Sequence, residues 1–412
     1  MRFLAIATIL LTGILCQCLG ICPSNNGNGG GPPVPIASPI NASGSSAPCS
    51  LMTVIVSEAV GSCSSSSPGP GQIVASPSAA ASNPPRVASA TGTDLVIVNN
   101  TGLPNSAVYF YAIGSGGQYL QADGSLKPMG ATPIPPLPLA SSGPTVMPLP
   151  FMTSARFWFS LNAPLQMPKG VQPGMGADVT QMYDFAEYNY VAGTIFINTS
   201  QVDMFSIPIT LQVTSAQGTE TVGLPDGTRT QIFSAFRADP ILKNLILTSG
   251  GQDLRILAPD HGIEDNLIPA TYLDAYINQV WTYYGTHTLN LNGWTGTTVN
   301  GSLAFTQGGQ TAAVQKPTSD QVFGCVLNTV GSIAPELCAG LNRGTLINGA
   351  AQPDYNAADF YLSSPTNGYA KIIHQFSING KAYAFPYDDA GPFSSLLSTA
   401  NPTTVTVTLS HF

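Results

Sequence analysis

From Asp94 onward, apolar and polar residues alternate with the two-residue period of half-buried strands: LVIVNN at 95–100, AVYFYAIG at 107–114 and ARFWFSL at 155–161. Two further runs, Tyr183 to Tyr190 and Thr194 to Asn198, are separated by a short turn containing Ala192 and Gly193, which predicts a hairpin. The proline-rich stretches Pro133–Pro138 and Pro144–Pro150 predict loops between strands, because proline donates nothing to a sheet ladder. The period then changes. Asp239-Pro240 supplies an N-cap acid and an N1 proline before ILKNLIL, predicting a helix there. A stronger helix is predicted over Thr271–Tyr284, where Tyr272, Leu273, Tyr276, Ile277, Val280, Trp281 and Tyr284 recur at helical spacing. That stripe reads as core-facing rather than as a sugar platform. A third helix is expected over Pro335–Asn342, and strand texture returns at Gly368–Ser377, Lys381–Pro386 and Thr403–Leu409. A helical block between two β blocks implies an insertion into one sheet domain.

Composition narrows the function classes. With 412 residues, 43% hydrophobic and 8% charged, the chain buries a substantial core in one large or two modest domains. A net charge of −8 without any basic run leaves no footprint for phosphate backbones, which excludes nucleic acid as a partner. A surface solvated by Ser, Thr, Asn and Gln suits neutral ligands such as sugars. Arg2, the apolar run Phe3–Leu15 and Cys18-Leu19-Gly20 have the form of an export signal over residues 1–20, too short to span a membrane. A secreted or cell-surface protein without an integral membrane segment after cleavage is expected, with a lipid anchor on Cys22 as the alternative. Residues 21–93, rich in Ser, Pro, Gly and Ala, read as a flexible tether. Cys325 with Cys338, and Cys49 with Cys63, are the natural local disulfides of an exported chain. His261, His287, His374 and His411 show no metal-ligand spacing, so each reads as structural or exposed. Neither a GxSxG elbow, a P-loop nor a dinucleotide fingerprint occurs, and no cofactor or metal is expected.

The remaining chemistry lies in YDFAEYNYVAGTIFINTSQVDMFSIP, residues 183–208, which sets two isolated carboxylates among aromatic and β-branched residues. Alternation places Glu187 on the face of Tyr183 and Phe185, and Asp203 on that of Phe205 and Ile207. The hairpin begins to fold Asp203 back toward Glu187. A carboxyl beside apolar rings stays protonated toward neutrality while a better solvated one ionises, the division of labour that glycosidic bond cleavage requires. The plain alternative is a pair of edge or turn carboxylates satisfied by backbone amides.

RFWFSL, YDFAEYNY, NTSQVDMFSIPI, FRADPILKNL, RILAP, YLDAYINQVWTYY, CAGLNRGTL and HQFSINGKAYAFPYDDAG, in that order, resemble glycoside hydrolase family 64, the β-1,3-glucanases related to thaumatin-like proteins. The resemblance covers residues 94–412. It implies a mainly β fold: a thaumatin-like β-sandwich or barrel (94–225 and 366–412) with an inserted mixed α/β domain (226–365) and an open groove between them for a β-1,3-glucan chain. Carried onto these motifs, Glu187 is the general acid and Asp203 the general base of an inverting hydrolase. Asp388 and Asp389 of the YDD segment become substrate-binding candidates, with a backbone-capping turn pair as their alternative. YNY after Glu187 and FGCVLN depart from the family pattern and leave subsite lining open. A monomeric secreted β-1,3-glucanase is the expectation, and a non-catalytic glucan-binding or cell-surface protein of the same fold is the alternative.

Overall fold

Strand alternation produces two large sheets that share one core. The computed structural model describes residues 91–114, 117–130, 133–165, 176, 179–327, 333–349 and 351–412; the export signal, Cys22, the Cys49–Cys63 pair and the tether up to residue 90 lie outside the described residues. The first sheet has the order β11 (Gly218–Gly223), β10 (Ile209–Ser215), β19 (Thr404–Leu409), β1 (Asp94–Asn99), β5 (Thr145–Pro148). The second runs β18 (Leu397–Ala400), β8 (Thr194–Thr199), β7 (Met182–Val191), β6 (Met152–Leu161), β2 (Val108–Gly114), β3 (Gln118–Leu120), β4 (Leu126–Pro128). Within these two sheets only β1 and β19 pair in parallel. Leu95, Ile97, Leu211, Val405 and Val407 of the first sheet meet Phe110, Phe157, Phe159, Tyr188 and Ile197 of the second. The rings stack closely, Phe110 on Phe159 at 5.0 Å and Phe157 on Tyr188 at 4.2 Å. Each such buried ring contributes about 2–3 kcal/mol of burial free energy.

The hairpin over β7 and β8 forms as its alternation predicts. Its two-residue turn puts both Ala192 and Gly193 at positive φ, +48° and +79°, the geometry whose twist matches a tight hairpin.

The opposite face of the second sheet is also covered. Tyr111, Trp158, Tyr183 and Phe185 pack there against Met204, Leu247 and Leu257. Those last residues belong to the loops and strands of a three-stranded sheet, β12 (Ile246–Ser249), β13 (Gln252–Leu257) and β9 (Met204–Phe205). The chain between β11 and β18 also forms α1 (Thr228–Ala238), α2 (Pro259–Glu264), α3 (Asp274–Tyr283), α4 (Ser319–Phe323), α5 (Ile333–Arg343) and α6 (Gly368–Phe376). An antiparallel meander, β14 (Leu289–Leu291), β15 (Trp294–Val299), β16 (Ser302–Gln307) and β17 (Gln310–Gln315), packs on α3 and α5. Tyr276, Ile277, Val280 and Trp281 of α3 are buried in that core, so the stripe is a packing face. The Cys325–Cys338 disulfide ties the segment after α4 to α5.

Five local expectations change. Asp239-Pro240 follows a helix instead of starting one: Asp239 accepts the N–H of Ile241 and Leu242, each at 2.8 Å, capping a single 3₁₀ turn before β12. Gly368–Phe376 is a helix because Tyr369, Ala370 and Ile373 are buried at helical spacing and Asn367 caps its start. Residues 381–386 carry no strand either. Thr145–Pro148 is an edge strand, where its prolines cost no ladder bond on the open side. Finally, the segment read as tether reaches too far. Thr91 Oγ1 donates to the Leu149 carbonyl at 2.6 Å, and the buried Thr93 Oγ1 bonds Tyr190 Oη at 2.7 Å and the Pro402 carbonyl at 2.6 Å. Leu149 N–H closes the group on the Thr93 carbonyl at 3.0 Å.

A chain beginning at Thr91 is therefore expected to keep the denaturant midpoint of the full chain. One beginning at Asp94 loses these bonds and about 3–5 kcal/mol, at roughly 1 kcal/mol each. Equilibrium urea unfolding of the two truncations makes the comparison, and equal midpoints would show that Thr91 and Thr93 contribute nothing.

Candidate active site

The register of β6, β7 and β8 places Arg156, Glu187 and Asn198 side by side on one row. The next row pairs Trp158 with Phe185. The Arg156 guanidinium lies over the Phe185 ring at 4.3 Å and the Trp158 ring at 5.4 Å, so the rings beside Glu187 hold a cation. Arg156 donates from Nε at 3.0 Å and Nη2 at 2.7 Å, and both bonds fall on Oε1 of Glu187. The same guanidinium reaches Asp203: Nη1 lies 3.8 Å from Oδ2. One cation thus joins the two sequence-predicted carboxylates. Their environments differ sharply, with the Glu187 side chain 32% exposed and that of Asp203 3%. Of the two carboxylates placed on apolar faces, Asp203 is the one withdrawn from solvent.

Asp203 is fixed by its neighbours in the chain. Its carbonyl accepts the Ala258 N–H at 2.9 Å where β13 ends, and Met204 directly after it pairs with Leu257. Two residues earlier, Gln201 donates its N–H to the Tyr383 carbonyl at 2.8 Å and accepts from Tyr369 Oη at 2.7 Å. On the other side, buried Asp184 of β7 accepts from Ser206 N–H at 2.7 Å, Ile207 N–H at 2.9 Å and its neighbour Phe185 N–H at 2.8 Å. Burial pushes the Asp184 carboxyl up to about 7 against the pull of these three donors.

α2 brings a second cation. His261 Nε2 lies 3.7 Å from Asp203 Oδ1, and its Nδ1 is 3.2 Å from Glu264 Oε2. Burial opposes charge on this ring, but Asp203, Asp260 and Glu264 outweigh it and lift its pKa to about 10. Burial likewise raises Asp260 to about 6, assisted by the charge on Asp203 and opposed by His261. The arrangement offers a half-exposed carboxyl able to pass a proton and an enclosed carboxylate between two cations able to receive one.

Asp388 and Asp389 separate. Asp388 is fully buried, its carboxylate bonded to Arg343 Nη2 at 3.1 Å, His374 Nε2 at 2.8 Å and Ala384 N–H at 2.9 Å. With its carboxylate wholly enclosed by these partners, Asp388 stands as a structural anchor rather than the accessible group that its reading as a substrate-binding candidate requires. Asp389 stays partly exposed, and burial raises its pKa. Tyr383 feels both Asp389 and Glu187: burial first, then these charges, hold its phenol protonated well above the ordinary range.

The family model for glycoside hydrolase family 64, described as beta-1,3-glucanase, matches residues 91–409. The chain belongs to glycoside hydrolase family 64. It is 34% identical over 251 residues to a glucan endo-1,3-beta-glucosidase of Arthrobacter sp. (strain YCWD3), covering 56% of this chain and 46% of that protein. The glucan endo-1,3-beta-glucosidase of Cellulosimicrobium cellulans matches to the same extent. The chain thus spans about half the length of the curated relatives it matches. Among solved structures, a laminaripentaose-producing beta-1,3-glucanase in complex with laminaritetraose superposes with a TM-score of 0.71 at 33% identity, covering 77% of this chain and 98% of that one. The beta-1,3-glucanase domain (GH64) from Clostridium beijerinckii gives 0.63 at 26% identity, covering 80% and 100%.

Within this family 64 chain, sequence reasoning named Glu187 and Asp203 but missed Arg156, Asp184, His261 and Tyr383. Arg156 had a signal: a lone charge in the aromatic strand RFWFSL. His261 had none that pointed to this site, since Asp203 reaches it from another element.

Two predictions follow from the buried carboxylates. Asp184→Asn turns an amide N–H₂ or a single oxygen toward three N–H donors, and is expected to cost about 3 kcal/mol or more in urea unfolding; an unchanged midpoint would show that the clamp is dispensable. For the Asp388 cluster, burial opposes charge on His374, yet Asp388 and the Gly380 carbonyl raise its pKa overall. Its contribution is full below about pH 6.5 and fades as pH rises through the raised folded value. Burial also opposes ionised Asp388, but His374 and Arg343 depress its pKa, so its contribution is present above about pH 3.9 and lost as pH falls through the depressed value. The stability gap between wild type and His374→Gln is therefore expected to shrink above pH 6.5, and that for Asp388→Asn to shrink only in acid. Gaps that do not vary with pH would mean neither group titrates between folded and unfolded states.

Proposed function

We propose that this chain is a glycoside hydrolase that cleaves β-1,3-glucan by inversion, with Glu187 as general acid and Asp203 as general base. The observation that carries the reading is the Arg156 bridge, which draws one half-exposed and one enclosed carboxyl to a single cation. Glu187 delivers a proton to the glycosidic oxygen as the bond from that oxygen to the anomeric carbon breaks. Asp203 takes a proton from water as the water oxygen bonds to the opposite face of that carbon. Inverting enzymes keep such carboxyls about 6.5–9.5 Å apart to admit the water, and a guanidinium lying between the two groups is consistent with that spacing. Asp389, close to Tyr383, is the remaining binding candidate for sugar hydroxyls.

The finer architecture belongs to the same reading. The two sheets with one shared core form a thaumatin-like β core, and residues 226–365 form the inserted mixed α/β domain. An open groove between them for the glucan chain belongs to this reading as well. Its boundaries are those read from the sequence, 94–225 with 366–412 for the core and 226–365 for the insertion. The export signal and tether, and the secreted monomer they belong to, rest on the N-terminal sequence. Among the described residues no helix is long and apolar enough to cross a membrane.

With laminarin as substrate, Glu187→Gln and Asp203→Asn are each expected to lower kcat by about 10²–10⁴-fold with folding and glucan binding retained. Proton NMR of fresh product should show the α-anomer first; an initial β-anomer would mean a retaining mechanism. Wild-type protein that binds laminarin without releasing reducing ends would instead establish a binding protein.

A further inference from the structure

We propose that His261 is a positioning residue for the base, its imidazolium holding Asp203 ionised and oriented toward water; this rests on the reading of Asp203 as the base. A carboxylate as enclosed as Asp203 takes up a proton unless opposite charge compensates the lost solvation, and a protonated Asp203 cannot accept a proton from water. Arg156 only partly fills that role. Its guanidinium meets Glu187 at 2.7 Å and Asp203 at 3.8 Å, so one positive charge is shared between two carboxyls. His261 meets the other carboxylate oxygen, Oδ1, at 3.7 Å, and each oxygen of Asp203 thus has its own cation.

The ring is built into place. Glu264 holds its far nitrogen, and the start of α2 is tied to Asp203 itself by the Ala258 N–H bond at 2.9 Å. The carboxylates around the ring favour its charged form over the penalty of burial, with a pKa of about 10. The charged groups of the surroundings are Arg156 on β6, Glu187 on β7, Asp203 before β9, and Asp260 and Glu264 on α2. The neighbouring 3₁₀ turn at 242–245 carries Lys243, and α4 carries Asp320. Carboxyls outnumber cations here, so removing one cation falls directly on Asp203.

The experiment is kinetics of His261→Gln on laminarin across pH, with Asp203→Asn beside it. The expected result is a kcat lowered about 10–100-fold with KM within about two-fold, and an acidic limb of kcat/KM moved up by about one pH unit as Asp203 becomes harder to ionise. An unmoved limb, or a raised KM with kcat unchanged, overturns the proposal. Asp203→Asn separates the two claims: if it keeps wild-type kcat, the reading of the base fails. If it is inactive while His261→Gln runs at full rate, only the role of His261 fails. Should His261→Gln not fold, NMR titration of the imidazole in the wild-type protein decides the matter. A ring still charged at pH 8 supports the proposal, and a neutral ring at pH 7 overturns it.

Discussion

Arg156 is the charge around which the site is organised. Its position follows from strand pairing, because the register that sets it opposite Glu187 also sets Trp158 opposite Phe185. Those rings support the guanidinium from below, while Glu187 and Asp203 take it from two sides. A one-residue slip between β6 and β7 would turn Arg156 into the core shared by the sheets, where Phe157 and Phe159 now lie. The packing of those phenylalanines, which fixes the register against such a slip, is therefore also what keeps Arg156 beside Glu187. Core stability and site geometry depend on the same alternation.

The segment between β11 and β18 does more than cover a sheet. Asp203 would be a mobile loop residue if it depended on β8 alone. It is instead held from three directions, by Asp184 in β7, by the end of β13, and by Tyr369 and Tyr383 from the stretch beginning at α6. The buried Asp388, bonded to α5 through Arg343 and to α6 through His374, locks the turn that carries Tyr383 and Asp389. Structural ion pairs thereby stand one layer behind Glu187 and Asp203.

Much of this was legible in the residues, and unevenly so. Strands β1, β2, β6, β7, β8 and β19 follow from two-residue alternation, and α3 and α5 from apolar stripes. The meander β14–β17 also had a signal that went unread: Asn292-Gly293, Asn300-Gly301 and Gly308-Gly309 each occupy a hairpin turn at positive φ. α6 was misread because Ile372, Ile373 and Phe376 favour strands locally, while burial of Tyr369, Ala370 and Ile373 decided the outcome. Asp388 and Asp389, adjacent in sequence, differ only in what surrounds them, and His261 gains its interest from residues far away in the chain. Contacts of that kind leave no local pattern.

The parallel pairing of β1 with β19 sets the order of assembly. β19 lies between β1 and β10, so Asp94–Asn99 and Ile209–Ser215 share a neighbour that is the last strand of the chain. Until residues 404–409 have been synthesised, the first sheet is in two pieces and the core it encloses cannot close. Ladder contacts spanning some 310 residues carry a large loop-closure cost and slow folding. Until residues 404–409 are made, a nascent chain of this topology holds β1 and β10 without the strand that joins them.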